Sequence, residues 1–415
     1  MLPQAPASPF APAADTSLAG RTVLVIIPAL SEGRAARETL DVAAALAAAG
    51  ARPLVATSGG RLVSELQARG GVWVPFPADS RNPLAMLRNV RALAAVIRDE
   101  RPALVHAQSR AAAWVALGAT RLTGTPFMTT YHGGYGARHA VAVHYNSVMA
   151  RGQLVLAQSH FTGDAVATLY PWARERVRVI WPGVDLRSFN PATVDAARVV
   201  ALRSAWGVEP DQRIVLMAGR LADWKGPRVL VEALALLDAE AHGDVVAVLC
   251  GDAGSRPATL ADIDALARAR GLADRVRRVG HCADMPGALM TCAALVVPSI
   301  RPEPFSAVAV EAQAMGKPVI VSAVGAAPET VLASPDVSPE ERTGWRVPPG
   351  DAPALAEALG EVLGSGASAL DALAFRARAH AEARFSRDGM TESMLDAYAA
   401  LLDRAAAQAP LRRAA

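Results

Sequence analysis

Cysteine is scarce in this chain of 415 residues. Its three cysteines, Cys250, Cys282 and Cys292, follow no spacing typical of a zinc site. An odd and sparse set of thiols also argues against a disulfide framework. We therefore expect these thiols to be small core residues of a cytoplasmic protein, and we expect neither a metal ion nor a cofactor.

Lysine is almost absent as well, because only Lys225 and Lys317 stand against 40 arginines. Lysine carries a compact point charge, whereas arginine presents a broad planar fork. A lysine in a sequence with so strong a bias towards arginine indicates a position where arginine cannot replace it. This argument singles out Lys225, which lies in a glycine-bounded loop.

Several further patterns are missing. No uncharged run approaches the ~20 residues that cross a bilayer. Residues 1–20 lack the basic start and apolar run of a signal peptide, and their richness in Pro and Ala predicts a disordered extension. No Gly-X-Gly-X-X-Gly follows a predicted strand and no Gly-X-Ser-X-Gly occurs. These absences argue against a dinucleotide oxidoreductase and against a serine hydrolase.

Charge is divided unevenly along the chain. Residues 1–190 hold 19 arginines and 11 acidic residues, a net charge of +8, whereas residues 191–415 carry a net charge of −5. A basic half indicates an anionic partner, such as a membrane surface, a phosphorylated glycolipid or a nucleic acid. A chance imbalance on a solvated surface explains the numbers equally well.

Short apolar runs alternate with helix-like stretches throughout the chain. Such alternation is typical of parallel sheets covered by helices on both faces, and it predicts an α/β fold with two Rossmann-like, doubly wound domains. The predicted strands are 21–27, 52–57, 72–76, 103–107 and 127–131 in the first half, and 213–218, 245–250, 276–279, 295–298 and 318–322 in the second. The predicted helices are 35–49, 61–69, 84–99, 110–121, 228–237, 258–270, 286–292 and 307–315, with closing helices over 351–364 and 368–404.

Turn-forming residues over 185–191 place the domain boundary near residue 190. We predict an N-terminal, acceptor-side domain over 21–190 and a C-terminal, nucleotide-sugar-binding domain over 191–375. We further predict that helices over 376–415 pack back towards the N-terminal domain. Ligands of open α/β sheets collect at the carboxyl ends of the strands, so two such domains facing one another would hold a ligand in a cleft.

Two glutamates flank the start of a predicted helix. Glu303 lies in a loop after a strand, Ser306 is a plausible N-cap, and Glu311 lies within the helix, which Gly316 ends. A helix N-terminus suits a diphosphate, and the carboxylates are then placed to accept hydrogen bonds from sugar hydroxyls. On spacing alone, two surface glutamates beside a structural helix are the commoner arrangement.

Two cations follow another strand. Arg220 and Lys225 lie five residues apart in a loop bounded by Gly219 and Gly226. Cations at the carboxyl end of a strand can neutralise a diphosphate leaving group. Two solvated charges are the alternative for this loop alone, but the presence of both motifs in one α/β domain makes coincidence a poor explanation.

With these motifs, the sequence over about 21–395 resembles the retaining glycosyltransferases of family 4, also called glycosyl transferases group 1. The resemblance rests on the Glu-X7-Glu pair (Glu303 and Glu311) and the Gly-Arg-X4-Lys pair (Arg220 and Lys225). It implies the two-domain GT-B fold and metal-independent transfer with retention of configuration. The stretches 145–152 and 280–286 look most like the lipopolysaccharide-core branch of this family.

The resemblance also implies site roles in this chain. It implies that Arg220 and Lys225 hold the donor diphosphate, that Glu311 binds ribose hydroxyls and that Glu303 approaches the transferred sugar. The implied donor-binding set is completed by Gly33, Gly219, Phe305 and Ser306.

Histidines lie at the ends of two strands in the first half. His132 matches the histidine that such enzymes place near the reacting sugar, and we group it with Arg220, Lys225 and Glu303 as catalytic. A loop histidine packed at the cleft wall is the alternative. His106 and Arg110 follow the preceding strand and are weaker candidates for contact with the acceptor.

The first strand–helix loop departs from the family pattern. Relatives usually carry Gly-Gly-X-Glu there, whereas this chain keeps Gly33 and has Arg34 and Ala36 in place of the second Gly and the Glu. Arg34 is therefore a further acceptor-side candidate, through contact with phosphate or by narrowing the acceptor groove. Ser306 stands where Gly is common, and Ala326 follows Gly325 where relatives have Gly-Gly.

The resulting prediction is a hexosyl- or heptosyltransferase that moves sugar from a nucleotide-sugar to a glycan or glycolipid, such as the lipopolysaccharide core or another envelope glycan. We expect a cytoplasmic protein bound peripherally to an anionic inner-membrane surface, with no nucleic-acid partner. The alternatives are a catalytically silent GT-B scaffold, which the loop over 33–36 favours, and another nucleotide-sugar enzyme such as an epimerase or a sugar-phosphate synthase. The sugar, the base, the acceptor and the oligomeric state stay open at this point.

Overall fold

Thirteen strands of the described residues form two parallel sheets. The computed structural model describes residues 18–413, with gaps at 32, 81, 134–138, 238 and 253–257. The chain divides into two units, one formed by Met1–Gly183 together with Arg387–Ala415 and the other by Val184–Ser386. The predicted fold class of two Rossmann-like parallel-sheet domains is confirmed. The predicted disordered extension over 1–20 lies almost entirely outside the described residues.

The sheet of the first unit has the strand order β3-β2-β1-β4-β5-β6-β7. Its central strands are apolar runs buried on both faces, as expected of a parallel sheet covered by helices. The strand order reverses beside β1, which pairs with both β2 and β4. The strands are β1 (Thr22–Ile26), β2 (Arg52–Thr57), β3 (Val72–Pro75), β4 (Leu104–Ala107), β5 (Phe127–Tyr131), β6 (Leu154–Ala157) and β7 (Val177–Val179).

Helices cover this sheet, and their starts follow from capping residues. The side chains of Asn82, Ser109 and Ser159 accept hydrogen bonds from backbone N–H groups of the first turns of their helices. The helices are α1 (Arg34–Ala48), α2 (Val63–Ala68), α3 (Pro83–Glu100), α4 (Arg110–Thr123), α5 (Ala140–Asn146) and α6 (His160–Leu169), with short 3-10 turns at Ser147–Ala150 and Pro171–Arg176.

The sheet of the second unit has the order β10-β9-β8-β11-β12-β13. Its strands are β8 (Arg213–Ala218), β9 (Val245–Cys250), β10 (Val276–Gly280), β11 (Cys292–Val297), β12 (Val319–Ser322) and β13 (Trp345–Val347). Its helices are α7 (Ala196–Ala205), α8 (Pro227–Leu236), α9 (Ala239–His242), α10 (Ala258–Ala269), α11 (Met285–Thr291), α12 (Ala307–Ala314), α13 (Ala327–Thr330), α14 (Ala352–Gly364) and α15 (Ala367–Phe385), with 3-10 turns at Pro191–Thr193 and Asp223–Lys225.

The last helix, α16 (Arg387–Arg413), belongs to the first unit. The region predicted as closing helices over 368–404 is divided at Ser386, whose extended backbone ends α15. Tyr398 of α16 is fully buried in the same apolar cluster as Leu40 of α1. The division into units falls after residues 183 and 386, whereas the predicted domain limits are 190 and 375. Those domain limits stay predictions. Among the described helices, none combines the length and apolarity needed to cross a bilayer.

Candidate functional site

The loop that follows β8 is fixed against the end of β9. We call residues 219–226 the cation loop. The N–H of Gly219 donates to the carbonyl of Cys250 at 2.9 Å, and the N–H of Leu221 donates to that of Asp252 at 2.9 Å. A Cβ at Gly251 would lie 1.9 Å from the carbonyl oxygen of Gly219, so this close approach requires glycine.

The second half of the cation loop is fixed against the end of β11. Gly226 has a left-handed backbone (φ +75°), and a Cβ there would lie 1.9 Å from the carbonyl oxygen of Pro298. The N–H of Ile300 donates to the carbonyl of Trp224 at 2.8 Å. These contacts hold the backbone on both sides of Lys225. The position of the Lys225 backbone therefore does not depend on the contacts of its own side chain.

Lys225 and Glu303 form an ion pair in this place. The ammonium Nζ contacts Glu303 Oε2, while Ser299 Oγ donates to Glu303 Oε1. The two charged side chains are only 18% and 10% exposed, so each limits the cost of burying the other. Nζ also lies 4.9 Å from the ring centroid of Trp224. The structure thus brings together two of the predicted catalytic residues, whereas Arg220 is solvent-exposed.

Glu303 belongs to a loop over 299–306, which we call the carboxylate loop, and the turn at Gly325 holds this loop in place. Gly325 has φ +66°, and a Cβ there would lie 2.5 Å from the backbone nitrogen of Glu303. The N–H of Ala326 donates to the Glu303 carbonyl at 2.9 Å. The chain therefore keeps glycine at the one position of this turn where contact requires it, and the buried Ala326 is accommodated.

Ser306 occupies the N-cap position of α12, as predicted, but its hydroxyl makes no capping hydrogen bond. The Ser306 Oγ atom is buried and has no hydrogen-bond partner within the described part of the chain. Buried polar atoms are normally paired, so this hydroxyl is an exception among the described residues. Glu311 lies half-buried further along α12, and Phe305 packs on Phe385 with ring centroids 5.9 Å apart.

A cavity of about 380 Å³ opens at the carboxyl ends of β8, β9 and β10. This volume falls in the range of small-molecule sites. Its position agrees with the rule that ligands of open parallel sheets bind outside the carboxyl ends of the strands. The cavity is lined by Gly219, Arg220, Cys250, Gly251, Asp252, His281, Cys282 and Met285.

In the first unit, the half-buried His132 follows β5. Its Nε2 atom lies 2.8 Å from Oε1 of Gln108, which follows β4. Burial lowers the pKa of His132 to about 4; a hydrogen bond with Gln158 opposes this shift, and the charge of Arg34 adds to it. The imidazole is therefore neutral at pH 7, and a neutral ring can donate one hydrogen bond and accept another.

Glu38 is a functional candidate that the sequence analysis missed. This carboxyl group of α1 is 7% exposed, and Gln158, at the end of β6, donates to its Oε2 from Nε2 at 3.2 Å. Burial raises the pKa of Glu38 to about 7, against the charge of Arg34 and the hydrogen bond from Gln158. The signal that could have found it is a carboxylate placed between Ala36 and Leu40, both of which are buried positions of α1.

His106 lies deeper than His132 in the same region. Its ring is fully buried, with Nδ1 2.8 Å from the hydroxyl of Tyr398 and Nε2 2.8 Å from that of Thr130. Burial lowers the pKa of His106 to about 3, and the neighbouring His132 contributes. Because both nitrogens are engaged inside the unit, this arrangement favours an indirect role, and the acceptor-side assignment of His106 stays a prediction.

The remaining candidates of the first unit are placed as follows. Gly33 holds the N-cap position of α1 with φ +117°, a conformation that favours glycine. Ala36 is buried in the apolar core, where an ionised carboxylate would lose its hydration. Arg34 is half-buried, and its charge acts on both Glu38 and His132.

Arg110 lies at the start of α4. Its Nη1 donates to Oδ1 of Asn146 at 2.8 Å, and its guanidinium lies 5.7 Å from the ring centroid of Tyr145. Across the described ranges, no group of three or more His, Cys, Asp or Glu side chains is arranged to hold a metal ion. The expectation of metal-independent chemistry stays a prediction.

Comparison with known proteins matches both halves of the chain. Residues 35–188 match the family described as Glycosyltransferase Family 4, and residues 201–380 match Glycosyl transferases group 1. A D-inositol 3-phosphate glycosyltransferase of Xylanimonas cellulosilytica is 36% identical over 264 residues, which cover 61% of this chain and 58% of that protein. The chain thus spans little more than half the length of this relative.

Solved structures share the fold. A glycosyltransferase from Rickettsia africae superposes with a TM-score of 0.81 at 29% identity, covering 92% of this chain and 98% of that one. Anabaena HepE in complex with UDP-glucose superposes with a TM-score of 0.75 at 24% identity, covering 91% and 99%.

The relatives matched by sequence are named for D-inositol 3-phosphate, so they do not support the predicted resemblance to the lipopolysaccharide-core branch. The broader family resemblance is confirmed. The chain belongs, in residues 35–188, to Glycosyltransferase Family 4 and, in residues 201–380, to the Glycosyl transferases group 1 family.

Proposed function

We propose that this protein is a glycosyltransferase that takes a sugar from a nucleotide-sugar donor. The observation that carries the proposal is the convergence of the cation loop and the carboxylate loop in the second unit, where Lys225 and Glu303 pair. Arg220, from the same cation loop, lines the cavity of about 380 Å³. A diphosphate suits the two cations, and a sugar offers hydroxyl donors to the carboxylate.

In the proposed donor complex, Arg220 and Lys225 neutralise the diphosphate. Backbone N–H groups at the start of α12, which no described side chain caps, and the Ser306 hydroxyl, unpartnered among the described residues, add hydrogen-bond donors. When the diphosphate takes over the ammonium of Lys225, Glu303 becomes available to a hydroxyl of the transferred sugar. Glu311 accepts hydrogen bonds from ribose, as the family resemblance implies.

We propose transfer with retention of configuration and without a metal ion. The bond between the anomeric carbon and the diphosphate oxygen breaks while the acceptor hydroxyl attacks from the same face. The hydroxyl proton passes to an oxygen of the departing diphosphate, and the cations stabilise the charge that develops there. His132, which the family resemblance assigns to catalysis, is neutral at pH 7 and hydrogen-bonded to Gln108 and Gln158.

For the acceptor, we propose a phosphorylated polyol of the inositol phosphate type. The names of the curated relatives support this choice over a lipopolysaccharide-core glycan. The charge of residues 1–190, 19 arginines against 11 acidic residues, suits any phosphorylated acceptor. The test compares sugar transfer to inositol phosphates with transfer to uncharged polyols. Equal efficiency with both classes would show that the phosphate has no role in acceptor recognition.

Peripheral attachment to an anionic membrane surface stays a separate proposal, within a cytoplasmic location. It is supported by an arginine–aromatic surface in which Arg151 lies 5.7 Å from the ring centroids of both Trp114 and Trp172, and Arg176 lies 5.2 Å from Trp172. Trp172 is 51% exposed. Co-sedimentation with anionic liposomes at low salt tests it, and failure to sediment would remove the proposal.

The primary experiment is thermal stabilisation by a panel of nucleotide sugars. A donor that binds the folded protein raises its melting temperature by mass action. We expect one donor to stabilise the wild type and to leave Lys225→Ala unchanged. Lys317→Ala is the matched control, because it removes the only other lysine, which precedes β12 and so lies at the opposite, amino-terminal edge of the same sheet.

The alternatives give different outcomes in the same assay. A silent scaffold, suggested by Arg34 and Ala36 in the first loop, would show no stabilisation by any nucleotide sugar. An epimerase or a sugar-phosphate synthase of the same fold would show stabilisation, but its product would be a free, altered or phosphorylated sugar. Product analysis by mass spectrometry separates that outcome from transfer to an inositol phosphate.

A further inference from the structure

We propose that Glu38 is a positioning residue for His132. The proton of its carboxyl group decides which way the Gln158 carboxamide faces, and thereby which ring nitrogen of His132 carries the hydrogen. The consequence for catalysis rests on the proposed function, whereas the proton-linked change of tautomer does not.

The geometry is a row of hydrogen-bonded side chains inside the first unit. Gln158 Nε2 donates to Glu38 Oε2 at 3.2 Å, and Gln158 is also hydrogen-bonded to His132. On its other side, the His132 ring meets Gln108, with 2.8 Å between Nε2 and Oε1. Glu38 and Gln158 are both buried, so solvent does not substitute for these contacts.

A carboxamide carries an acceptor on one arm and donors on the other. When Glu38 is ionised, it accepts from the NH2 arm of Gln158, and the carbonyl arm is left for His132, whose facing nitrogen must then carry hydrogen. When Glu38 is protonated, it donates to the carbonyl arm, and the NH2 arm requires a lone pair on His132.

The neutral ring of His132 carries one hydrogen, so it can satisfy one carboxamide oxygen and not two. Gln108 presents Oε1 to Nε2. A second carbonyl oxygen from Gln158 would therefore compete with Gln108 for the same proton. Protonation of Glu38 relieves this competition by turning the donor arm of Gln158 towards the ring, which places the hydrogen on the nitrogen facing Gln108.

The groups around Glu38 determine when this change takes place. Arg34 and Asp41 act on it from α1, and Tyr398 faces it from α16. Burial raises the pKa of Tyr398, which keeps that hydroxyl protonated. The pKa of His132 is lowered to about 4, whereas that of Glu38 is raised to about 7, so near neutral pH the proton that moves is the one on Glu38.

The test is the imidazole 15N spectrum of protein labelled at its eight histidines, recorded between about pH 5.5 and 8.5. His132→Asn assigns the His132 signals. We expect the two ring nitrogens of His132 to exchange protonated and unprotonated shifts with a midpoint near 7, without reaching the imidazolium pattern. In Glu38→Gln, an amide mimics the protonated carboxyl, and we expect the low-pH tautomer at every pH.

Two further variants keep the test decisive. Glu38→Asp retains a carboxyl group and should retain a transition at a shifted midpoint. Asp41→Asn removes a neighbouring negative charge on the same helix, so it should lower the midpoint of the transition without abolishing it. A constant tautomer in the wild type, or a transition that survives in Glu38→Gln, would overturn the proposal. No sugar donor is used, so this outcome is independent of whether the protein proves to be a glycosyltransferase.

Under the proposed function, the kinetic consequence is a step in the pH profile of kcat/KM near 7 that Glu38→Gln removes. If Glu38 had a purely structural role, Glu38→Gln would lower the melting temperature and leave the pH profile of kcat/KM unchanged.

Discussion

Lys225 and Glu303 lie 78 positions apart in the chain and form a largely buried ion pair in the second unit. One comes from the loop after β8 and the other from the loop after β11, two strands that are neighbours in the sheet. The pair links the two loops that the sequence analysis had singled out separately. Its existence leads to the first prediction.

Lys225→Ala removes the ammonium and leaves the carboxylate of Glu303 buried without its cation. Loss of one partner from a buried ion pair typically costs about 3–5 kcal/mol, so we expect a lower melting temperature. We also expect kcat to fall by roughly 10²-fold, because a charge that stabilises the leaving diphosphate is lost. Calorimetry and a transfer assay measure the two effects.

Glu303→Gln in the Lys225→Ala background is the control for the stability effect. It removes the unpaired charge, so the double variant should recover part of the lost melting temperature without recovering activity. If the stability effects of the two substitutions are additive, the pair does not couple the two loops.

Gly226→Ala tests the backbone of the cation loop. The left-handed conformation costs an alanine about 1–2 kcal/mol, and its Cβ would in addition meet the carbonyl oxygen of Pro298. We expect clear destabilisation and loss of stabilisation by the donor. Gly271→Ala is the matched control, because Gly271 has φ +70° but open space around the added Cβ. Equal losses in the two variants would contradict the proposed contact.

Ser306→Ala should separate stability from binding. The buried hydroxyl has no partner in the described structure, so its removal should leave the melting temperature unchanged or raise it slightly. The same change should weaken the stabilisation by the donor, because the proposed hydrogen bond to the diphosphate is lost. Ser299→Ala is the contrasting variant and should destabilise, since Ser299 donates to Glu303. A normal donor response in Ser306→Ala would remove this residue from the site.

The raised pKa of Glu38 predicts that the stability of the folded protein depends on pH. Its pKa is raised from 4.5 to about 7 in the folded protein, so the folded state holds the proton more tightly than the unfolded state. Its contribution to stability is therefore fully present below pH 4.5 and is lost as the pH rises through 7, a loss of about 3 kcal/mol at most.

Glu38→Gln should accordingly be more stable than the wild type at pH 8, and the difference should shrink as the pH is lowered to 5. Thermal unfolding of both proteins at several pH values measures this. Glu357→Gln, at an exposed position of the second unit, is the control and should show no such trend. A stability gain that is independent of pH would assign the effect to packing instead of ionisation.

Much of the fold was predictable because apolar runs of five or six residues mark buried parallel strands. The predicted segments 52–57, 213–218 and 245–250 coincide with β2, β8 and β9. The strands β6, β7 and β13 were not predicted. β7 and β13 are only three residues long and have an arginine at the centre, so neither stands out as an apolar run. The last helix continues to Arg413, beyond the helical region predicted over 368–404.

The candidate site was predictable in the second unit and incomplete in the first. The two motifs of the second unit follow strands directly, so their shared edge of the sheet could be inferred from topology. Glu38 escaped the sequence analysis because a single glutamate on an Ala-rich helix normally marks a solvated face. Only the packing of β6 and α16 against α1 turns that position inward.

By itself, the sequence determined the alternation of strands and helices, the family and the loops that carry Arg220, Lys225, Glu303 and Glu311, because these follow from patterns within short segments. The tertiary structure decided which of those groups meet. It paired Lys225 with Glu303, left the Ser306 hydroxyl without a partner among the described residues, enclosed Glu38 beside Gln158 and returned α16 to the first unit. These outcomes depend on side chains far apart in the chain, whose contacts arise only when helices and strands pack.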